Sequence, residues 1–197
     1  MRLNGAKPAP HTLLVSNHVS WLDIVVLGGA TNCTFVSKAA LGHPLIHWLA
    51  DQNGTVYVSR SDRKGAKGQA IAIAAALERQ KPVTLFPEGT TGPGTRLLPF
   101  RSTLLESANF AAKEVVIRPV VMDYGSAARE IGWFHESGKD NVLRLLSRKG
   151  TLPVMVRVLE PLDRRGDRKQ LTAEAREAIA KRLGFKSPAH SPIGEAE

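Results

Sequence analysis

The hydrophobic positions of this chain fall in short blocks separated by polar turns, and the first block sets the pattern for the rest. Thr12–Ser16 (TLLVS) is apolar and β-branched, the composition of a buried strand. Polar Asn17-His18-Val19-Ser20 follows at once, and then an apolar stretch that closes on Gly28-Gly29. The pattern reads as strand, turn and helix. Ser20 is placed as the helix N-cap, and Asp23 falls in the first turn, where a carboxylate complements the positive end of the helix dipole. A strand over residues 33–37, a short helix over 44–50 and a strand over 54–58 come next. Ser61 or Asp62 then caps a helix whose Ile71, Ile73, Ala74 and Leu77 make its apolar face.

The block at 82–86 (PVTLF) has the character of another buried strand, and it feeds a Pro/Gly-rich loop over 87–99 that suits neither helix nor strand. A helix over 102–112, strands over 115–122 and 152–158 and a helix over 172–183 complete the reading, while residues 133–149 fit no single template. Strands alternating with helices predict an α/β fold, a single domain on a largely parallel mixed sheet flanked by helices. The domain is expected to occupy residues 1–185, without internal repeat or dividing linker, and residues 186–197 are expected to be a disordered tail.

Composition narrows the class without choosing a function. At 197 residues, 43% hydrophobic and 23% charged, the chain has enough apolar material for one packed core, which excludes a disordered or low-complexity scaffold. The single cysteine, Cys33, has no partner for an internal disulfide, and no Cys/His cluster has zinc-site spacing, so a reducing compartment and no structural zinc are expected. No run approaches the ~18 apolar residues of a membrane span, and residues 1–11 lack the parts of a secretory signal. The net charge of +9 predicts an anionic partner, with phosphorylated metabolites, an anionic membrane face and nucleic acid all open on charge alone.

In an open α/β sheet, ligands bind beyond the carboxyl ends of the strands, so the residues after each predicted strand carry the search. The first such place is Asn17-His18-Val19-Ser20-Trp21-Leu22-Asp23. On a regular helix the spacing of His18 and Asp23 would leave them about 140° apart. With His18 in the turn before the helix, the carboxylate can instead reach back to the imidazole. Such a contact holds one tautomer and raises the basicity of the other ring nitrogen, the arrangement that activates a hydroxyl. An isolated His-x4-Asp is more often a turn histidine beside a dipole-complementing acid. The second place is Phe86-Pro87-Glu88-Gly89-Thr90-Thr91-Gly92, whose small residues admit a ligand close to the backbone. The third is the strand that begins at Gly54 and leads to Arg60, whose planar guanidinium suits phosphate oxygens, although a strand-end arginine more often pairs with a surface acid. His43 and His47 flank a short helix containing Leu45, Ile46, Trp48 and Leu49, for which core packing is favoured over the wall of an acyl channel; Trp21 and Trp48 are expected in the core.

Taken in order, Asn17-His18-x-Ser20-Trp21-x-Asp23, Gly54 to Arg60, Phe86-Pro87-Glu88-Gly89-Thr90 and Ile117-Arg118-Pro119-Val120 resemble the four sequence blocks of the glycerolipid acyltransferases. The likeness runs from about Thr12 to Val121. It implies a glycerol-3-phosphate acyltransferase-like fold and transfer of a fatty acyl group from acyl-CoA or acyl-acyl carrier protein to the free hydroxyl of a lysophospholipid. The leading acceptor is 1-acyl-sn-glycerol-3-phosphate, which would give phosphatidic acid. The implied roles are His18 as general base, Asp23 as its orienting acid, and Arg60, Glu88, Gly89 and Thr90 as binders of the acceptor head group. Asn17, Ser20, Gly54 and Pro87 belong to the surrounding structure, and Pro119 to the floor of the site. No cofactor and no metal are implied, because a thioester is already activated and direct attack suffices. Backbone N–H groups near Gly89 or after Ser20 are the candidate oxyanion donors.

Two departures bear on the acceptor and the setting. Many members have arginine after F-P-E-G-T where this chain has Thr91, so Arg96 or Arg101 is expected to supply the missing cation, and lyso-ornithine lipid stays open as an acceptor. Only seventeen residues precede His18, fewer than members usually carry. Either the chain is shortened or it attaches to membrane by surface contacts alone; the expected location is peripheral, on the cytoplasmic side of the inner membrane, where each Lys or Arg near an anionic membrane surface gains about 1 kcal/mol. Nucleic acid is not an expected partner. Two other classes compete. A metal-dependent phosphoester hydrolase would use His18, Asp23 and Glu88 as ligands, but no second histidine stands at ligand spacing. The other is a non-catalytic module for anionic lipid or nucleic acid, and no helix-turn-helix or aromatic-basic stacking motif favours the nucleic-acid form.

Overall fold

Leu13, Leu14 and Val15 have no exposed surface, a burial on both faces that places their strand in the middle of a covered sheet. The computed structural model describes residues 1–38, 44–52, 54–58, 65–111, 114–163 and 167–185. Its strands are β1 (Arg2–Asn4), β2 (Thr12–Ser16), β3 (Thr34–Lys38), β4 (Val56–Val58), β5 (Val83–Leu85), β6 (Val116–Asp123) and β7 (Met155–Val158). Its helices are α1 (Leu22–Thr31), α2 (Pro44–Gln52), α3 (Gly65–Leu77), α4 (Ser107–Phe110), α5 (Ala128–Ile131), α6 (Gly138–Leu146) and α7 (Arg168–Leu183). The strands form one seven-stranded sheet in the order β1-β7-β6-β2-β5-β3-β4. Every neighbouring pair is parallel except β6 and β7, which bears out a largely parallel mixed sheet in a single α/β domain.

The topology sets the place of the site. From β2 the chain goes to β3 past β5, and from β5 it returns to β6 past β2. Connections that leave adjacent strands in opposite directions open a crevice at the carboxyl ends of those strands. Residues 17 and 18 follow β2 there, residues 86 to 88 follow β5, and Tyr124 follows β6, with Val15 level with Leu85 and Ser16 with Val120.

Alternation along β2 divides the core. Leu14 joins Phe35, Val120 and Met122 against Ile24, Leu27 and Ala30 of α1. Leu13 and Val15 join Leu85 and Ile117 against Ile73 and Leu77 of α3 and Leu171 and Ala175 of α7. Each fully buried side chain of this size is worth about 1.5–3 kcal/mol, so the strand that carries His18 at its end is anchored from both sides.

Several local expectations need correction. The helix expected over 102–112 is instead a tight turn at Ser102–Leu104 followed by the four-residue α4. The Ser107 hydroxyl donates to the Leu104 carbonyl at 2.7 Å and the Ala108 N–H bonds to Leu105, so side-chain and three-residue backbone bonds displace the regular helical ladder. Helix α7 starts at Arg168, ahead of residue 172, because the Asp167 carboxylate accepts from the N–H groups of Lys169 and Gln170 at 2.7 and 2.9 Å. The unassigned stretch contains α6, begun by the Ser137 hydroxyl accepting from the Asp140 N–H at 3.1 Å. Strand β1 is an addition, since Arg-Leu-Asn carries no strand pattern and is ordered by pairing with β7. Ile71 is exposed, lying about 200° around the helix from buried Ile73. Trp48 is exposed as well, in one solvent-facing row of α2 with Pro44 and Gln52, whereas Trp21 is buried as expected. His43, Ser61, Asp62 and residues 186–197 lie outside the described residues.

Candidate active site

The turn after β2 is fixed through its backbone before any ring is placed. Asn17 donates from Nδ2 to the Met122 carbonyl at 3.0 Å and accepts the Met122 N–H at Oδ1 at 2.8 Å, which staples the turn to β6. The His18 N–H donates to Glu88 Oε1 at 2.8 Å, and the His18 carbonyl accepts from the Gly92 N–H at 2.8 Å. Against that frame the imidazole stacks on Phe86, with ring centroids 4.0 Å apart and planes 14° from parallel.

His18 Nδ1 lies 2.8 Å from Asp23 Oδ2. The same oxygen accepts from the N–H groups of Val19 and Ser20 at 2.7 and 3.0 Å, and Oδ1 accepts from the Tyr124 hydroxyl at 2.5 Å. Four donors thus satisfy a carboxylate that has no exposed surface. With an acceptor at Nδ1, the imidazole carries its proton there and keeps the Nε2 lone pair free, the tautomer a base requires. Asp23 therefore folds back on the turn, and does not simply lie along the helix dipole. Ser20 is a poor cap: its hydroxyl is 3.4 Å from the Leu22 N–H, and Trp21 occupies the cap position with no side-chain bond.

Glu88 supports the backbone of this turn. Its second oxygen accepts from the Leu98 N–H at 2.8 Å, so both oxygens are committed to main-chain donors. Burial pushes its carboxyl up to about 6, with the N–H bonds of His18 and Leu98 pulling the other way. The closure at Gly92 is tight: a Cβ there would stand 3.3 Å from Glu88 Oε2 and 3.4 Å from the His18 carbonyl oxygen. Gly94 has φ +75°, and a Cβ there would stand 2.3 Å from the Ala128 carbonyl oxygen, so the loop presses directly onto α5.

A cavity of about 240 Å³ opens beside the imidazole, and of the expected residues Asn17, His18, Glu88 and Arg96 line it. Asp23 lies behind the ring. Gly89, Thr90, Thr91, Pro87, Arg101 and Pro119 do not line it. Pro87 and Arg101 are tied to each other by the Arg101 N–H and the Pro87 carbonyl at 2.9 Å. Pro119 is buried inside β6 opposite Val15, with its carbonyl accepting from the Leu159 N–H at 2.9 Å. Gly54 takes a left-handed turn at the amino end of the edge strand β4, whereas His18 follows the carboxyl end of the central β2. Arg60 lies outside the described residues.

Of the candidate oxyanion donors, the Gly89 N–H is spent on the Phe86 carbonyl at 3.0 Å. The N–H groups of Val19 and Ser20, just ahead of the positions expected after Ser20, are spent on Asp23. The oxygens of Asp23 and Glu88 are likewise engaged by separate donors and do not converge with His18 as a ligand set. Among the described residues no three His, Cys, Asp or Glu side chains stand where they would share a metal ion.

Tyr124 is the residue the sequence reading missed. It is almost wholly buried, and burial first, then the charge and hydrogen bond of Asp23, raise its hydroxyl well above the ordinary tyrosine value, so it stays a donor. The signal that would have found it is its position directly after a predicted strand, the same rule that singled out His18 and Glu88.

The sequence model of the acyltransferase family matches residues 3–123. A lyso-ornithine lipid O-acyltransferase of Pseudomonas aeruginosa is 34% identical over 189 residues, which take in 91% of this chain and 70% of that protein. A 1-acyl-sn-glycerol-3-phosphate acyltransferase of Neisseria meningitidis serogroup B is 33% identical over 119 residues, 58% of this chain and 47% of that protein. The crystal structure of the 1-acyl-sn-glycerophosphate acyltransferase of Thermotoga maritima shares the fold, with a TM-score of 0.60 over 93% of this chain and 70% of that one at 19% identity.

Proposed function

This chain belongs to the acyltransferase family, and from that we propose that it moves a fatty acyl group from a thioester to the free hydroxyl of a lysolipid, with His18 as general base. The observation that carries the reading is the 2.8 Å contact between His18 Nδ1 and a buried, fully bonded Asp23, which leaves Nε2 as the base. Nε2 takes the proton of the acceptor hydroxyl as its oxygen attacks the thioester carbonyl. The tetrahedral oxyanion collapses, the carbon–sulfur bond breaks, and the thiolate leaves with the proton from Nε2. An ester and a free thiol are formed, His18 is restored, and no covalent enzyme intermediate is needed. Asp23 stabilises the imidazolium that exists between the two transfers.

Acyl-CoA and acyl-acyl carrier protein both satisfy this chemistry as donors. For the acceptor, relatives named for lyso-ornithine lipid match between 76% and 93% of this chain, and relatives named for 1-acyl-sn-glycerol-3-phosphate match 56% to 58%. The wider likeness, with Thr91 in place of an arginine, favours an amino-acid-derived lysolipid over lysophosphatidic acid. No helix among the described residues is long and apolar enough to cross a membrane. A lipid acceptor and a net charge of +9 support attachment to an anionic membrane surface.

The test is release of free thiol from palmitoyl-CoA and from palmitoyl-acyl carrier protein, with no acceptor, with lyso-ornithine lipid and with lysophosphatidic acid. Release that needs both a lysolipid and His18 supports the reading, and the ratio of the two acceptors ranks them. Release unchanged in His18→Ala, or none with either donor, sinks it.

A further inference from the structure

Next to the cavity at His18 lies a second, of about 370 Å³, which shares Arg96, Leu97 and Phe185 with the first and adds Arg176. The two arginines come from distant parts of the chain. Arg96 is carried by the loop after β5, which Gly94 presses onto α5. Arg176 is carried by α7, whose end is closed by the Phe185 N–H bonding to the Ala180 carbonyl at 2.9 Å. Arg144, Arg148, Arg157 and Arg168 each pair with a carboxylate, on Glu136, Glu130, Asp123 and Glu106 respectively. Arg96 and Arg176 differ: neither has an ion-pair or hydrogen-bond partner among the described residues, and no acid lines the cavity they share.

Arg96 is exposed and Arg176 half-buried on one cavity without a carboxylate, so their forked donors face only water there, and an oxyanion can engage both. We propose that Arg96 and Arg176 form an oxyanion-binding subsite, for a phosphate or carboxylate group of a substrate whose reacting end lies at His18. The inference rests on the acyl-transfer reading and deepens it, because Arg96 borders both cavities and so spans the gap between reacting group and anion. It gives a function to α7, which lies beyond the residues matched by the family, and it supplies the cation that Thr91 does not. The anion is either the acceptor's head group or a phosphate of the acyl-CoA donor, two sources with one chemistry.

Initial rates of acyl transfer from palmitoyl-CoA to lyso-ornithine lipid and lysophosphatidic acid separate them, using Arg176→Ala, Arg176→Lys and Arg96→Ala. Both alanine variants are expected to raise the KM of the preferred acceptor roughly tenfold, with kcat within about twofold and the donor KM unchanged, while the lysine variant falls between. A raised donor KM instead, abolished when palmitoyl-CoA is replaced by palmitoyl-pantetheine, assigns the same subsite to the donor's phosphates. Unchanged KM values for donor and acceptor in both alanine variants overturn the subsite. Arg96→Ala and Arg176→Lys keep the test usable if Arg176→Ala does not fold. A wild-type chain that transfers to neither acceptor, from palmitoyl-CoA or from palmitoyl-acyl carrier protein, sinks the acyl-transfer reading alone. The subsite is then judged by calorimetry with glycerol 3-phosphate: weaker binding in both alanine variants sustains it, and equal or no binding overturns it.

Discussion

The molecule contains the same small device twice, in two different settings, and only one copy is the base proposed above. His18 lies 2.8 Å from Asp23, and His47 lies 3.1 Å from Asp51. In each, a tyrosine hydroxyl donates to the other carboxylate oxygen at 2.5 Å, Tyr124 to Asp23 and Tyr57 to Asp51. In each, the imidazole stacks on an aromatic ring, Phe86 at 4.0 Å and Tyr57 at 5.0 Å. The surroundings differ. The side chains of His18 and Asp23 are 15% and 0% exposed, those of His47 and Asp51 44% and 48%. Asp23 also accepts two backbone N–H groups, and the main chain of His18 is held on one side by Glu88 and on the other by Gly92. His47 and Asp51 are one turn apart on α2, near the edge strand β4, where water competes for every bond. A histidine–carboxylate contact is easily made; what distinguishes a site is how many independent bonds fix it in a dry place.

The largest effect should come from deleting each imidazole in turn. Removal of a general base costs about 10²–10⁴-fold, so His18→Ala should reduce acyl transfer by that range and His47→Ala by less than about twofold. Thiol release with a lysolipid acceptor measures both, and an equal loss in the two variants would erase the distinction drawn between the pairs. The next effect isolates the tyrosines. Tyr124→Phe leaves a buried carboxylate oxygen of Asp23 without its donor, a penalty of about 1–3 kcal/mol, and kcat is expected to fall roughly tenfold with little change in KM. Tyr57→Phe makes the same deletion where water replaces the hydroxyl, and kinetics and thermal midpoint should both stay at wild-type values. A loss of kcat in Tyr57→Phe would show that α2 takes part in turnover.

The sequence made the His18–Asp23 contact legible and hid most of what supports it, for physical reasons. His18 and Asp23 were readable because a strand, a turn and a helix start can be read from hydrophobic pattern, and a carboxylate at the start of a helix can reach back. Tyr124 could be singled out by its place after a predicted strand, but its bond to Asp23 could not, since it spans 101 positions through the adjacency of β2 and β6, which no local pattern encodes. Glu88 was found as a residue, yet its partners are backbone N–H groups, invisible in side-chain chemistry. The expectation for Trp48 failed because a short helix at the sheet edge exposes one row whatever its residues are. The sheet itself was accessible from alternation, whereas α4 and the start of α7 were decided by single side chains, Ser107 and Asp167, that bond the backbone locally.

Glu88 gives the subtlest contrast between the two pairs, and its sign can be worked out. Burial raises its pKa from 4.5 to about 6. A carboxyl whose pKa rises on folding favours the native state in its protonated form, so its contribution is complete below about 4.5 and is lost as the pH climbs through about 6. At neutral pH the folded chain therefore carries the Glu88 charge at a cost of about 2 kcal/mol, at 1.36 kcal/mol per pKa unit. The charged form is nonetheless the one with two free acceptor oxygens for the His18 and Leu98 N–H groups, which ties the geometry of the base to an unfavourable ionisation. Glu88→Gln removes the titration and leaves one amide oxygen for two donors. Urea unfolding of both chains between pH 4.5 and 7.5 should show wild type losing about 2 kcal/mol relative to Glu88→Gln as the pH rises, even as the variant transfers acyl groups more slowly at every pH. A difference that stays constant across that range would mean that the N–H bonds of His18 and Leu98 fully offset the cost of burying the Glu88 charge.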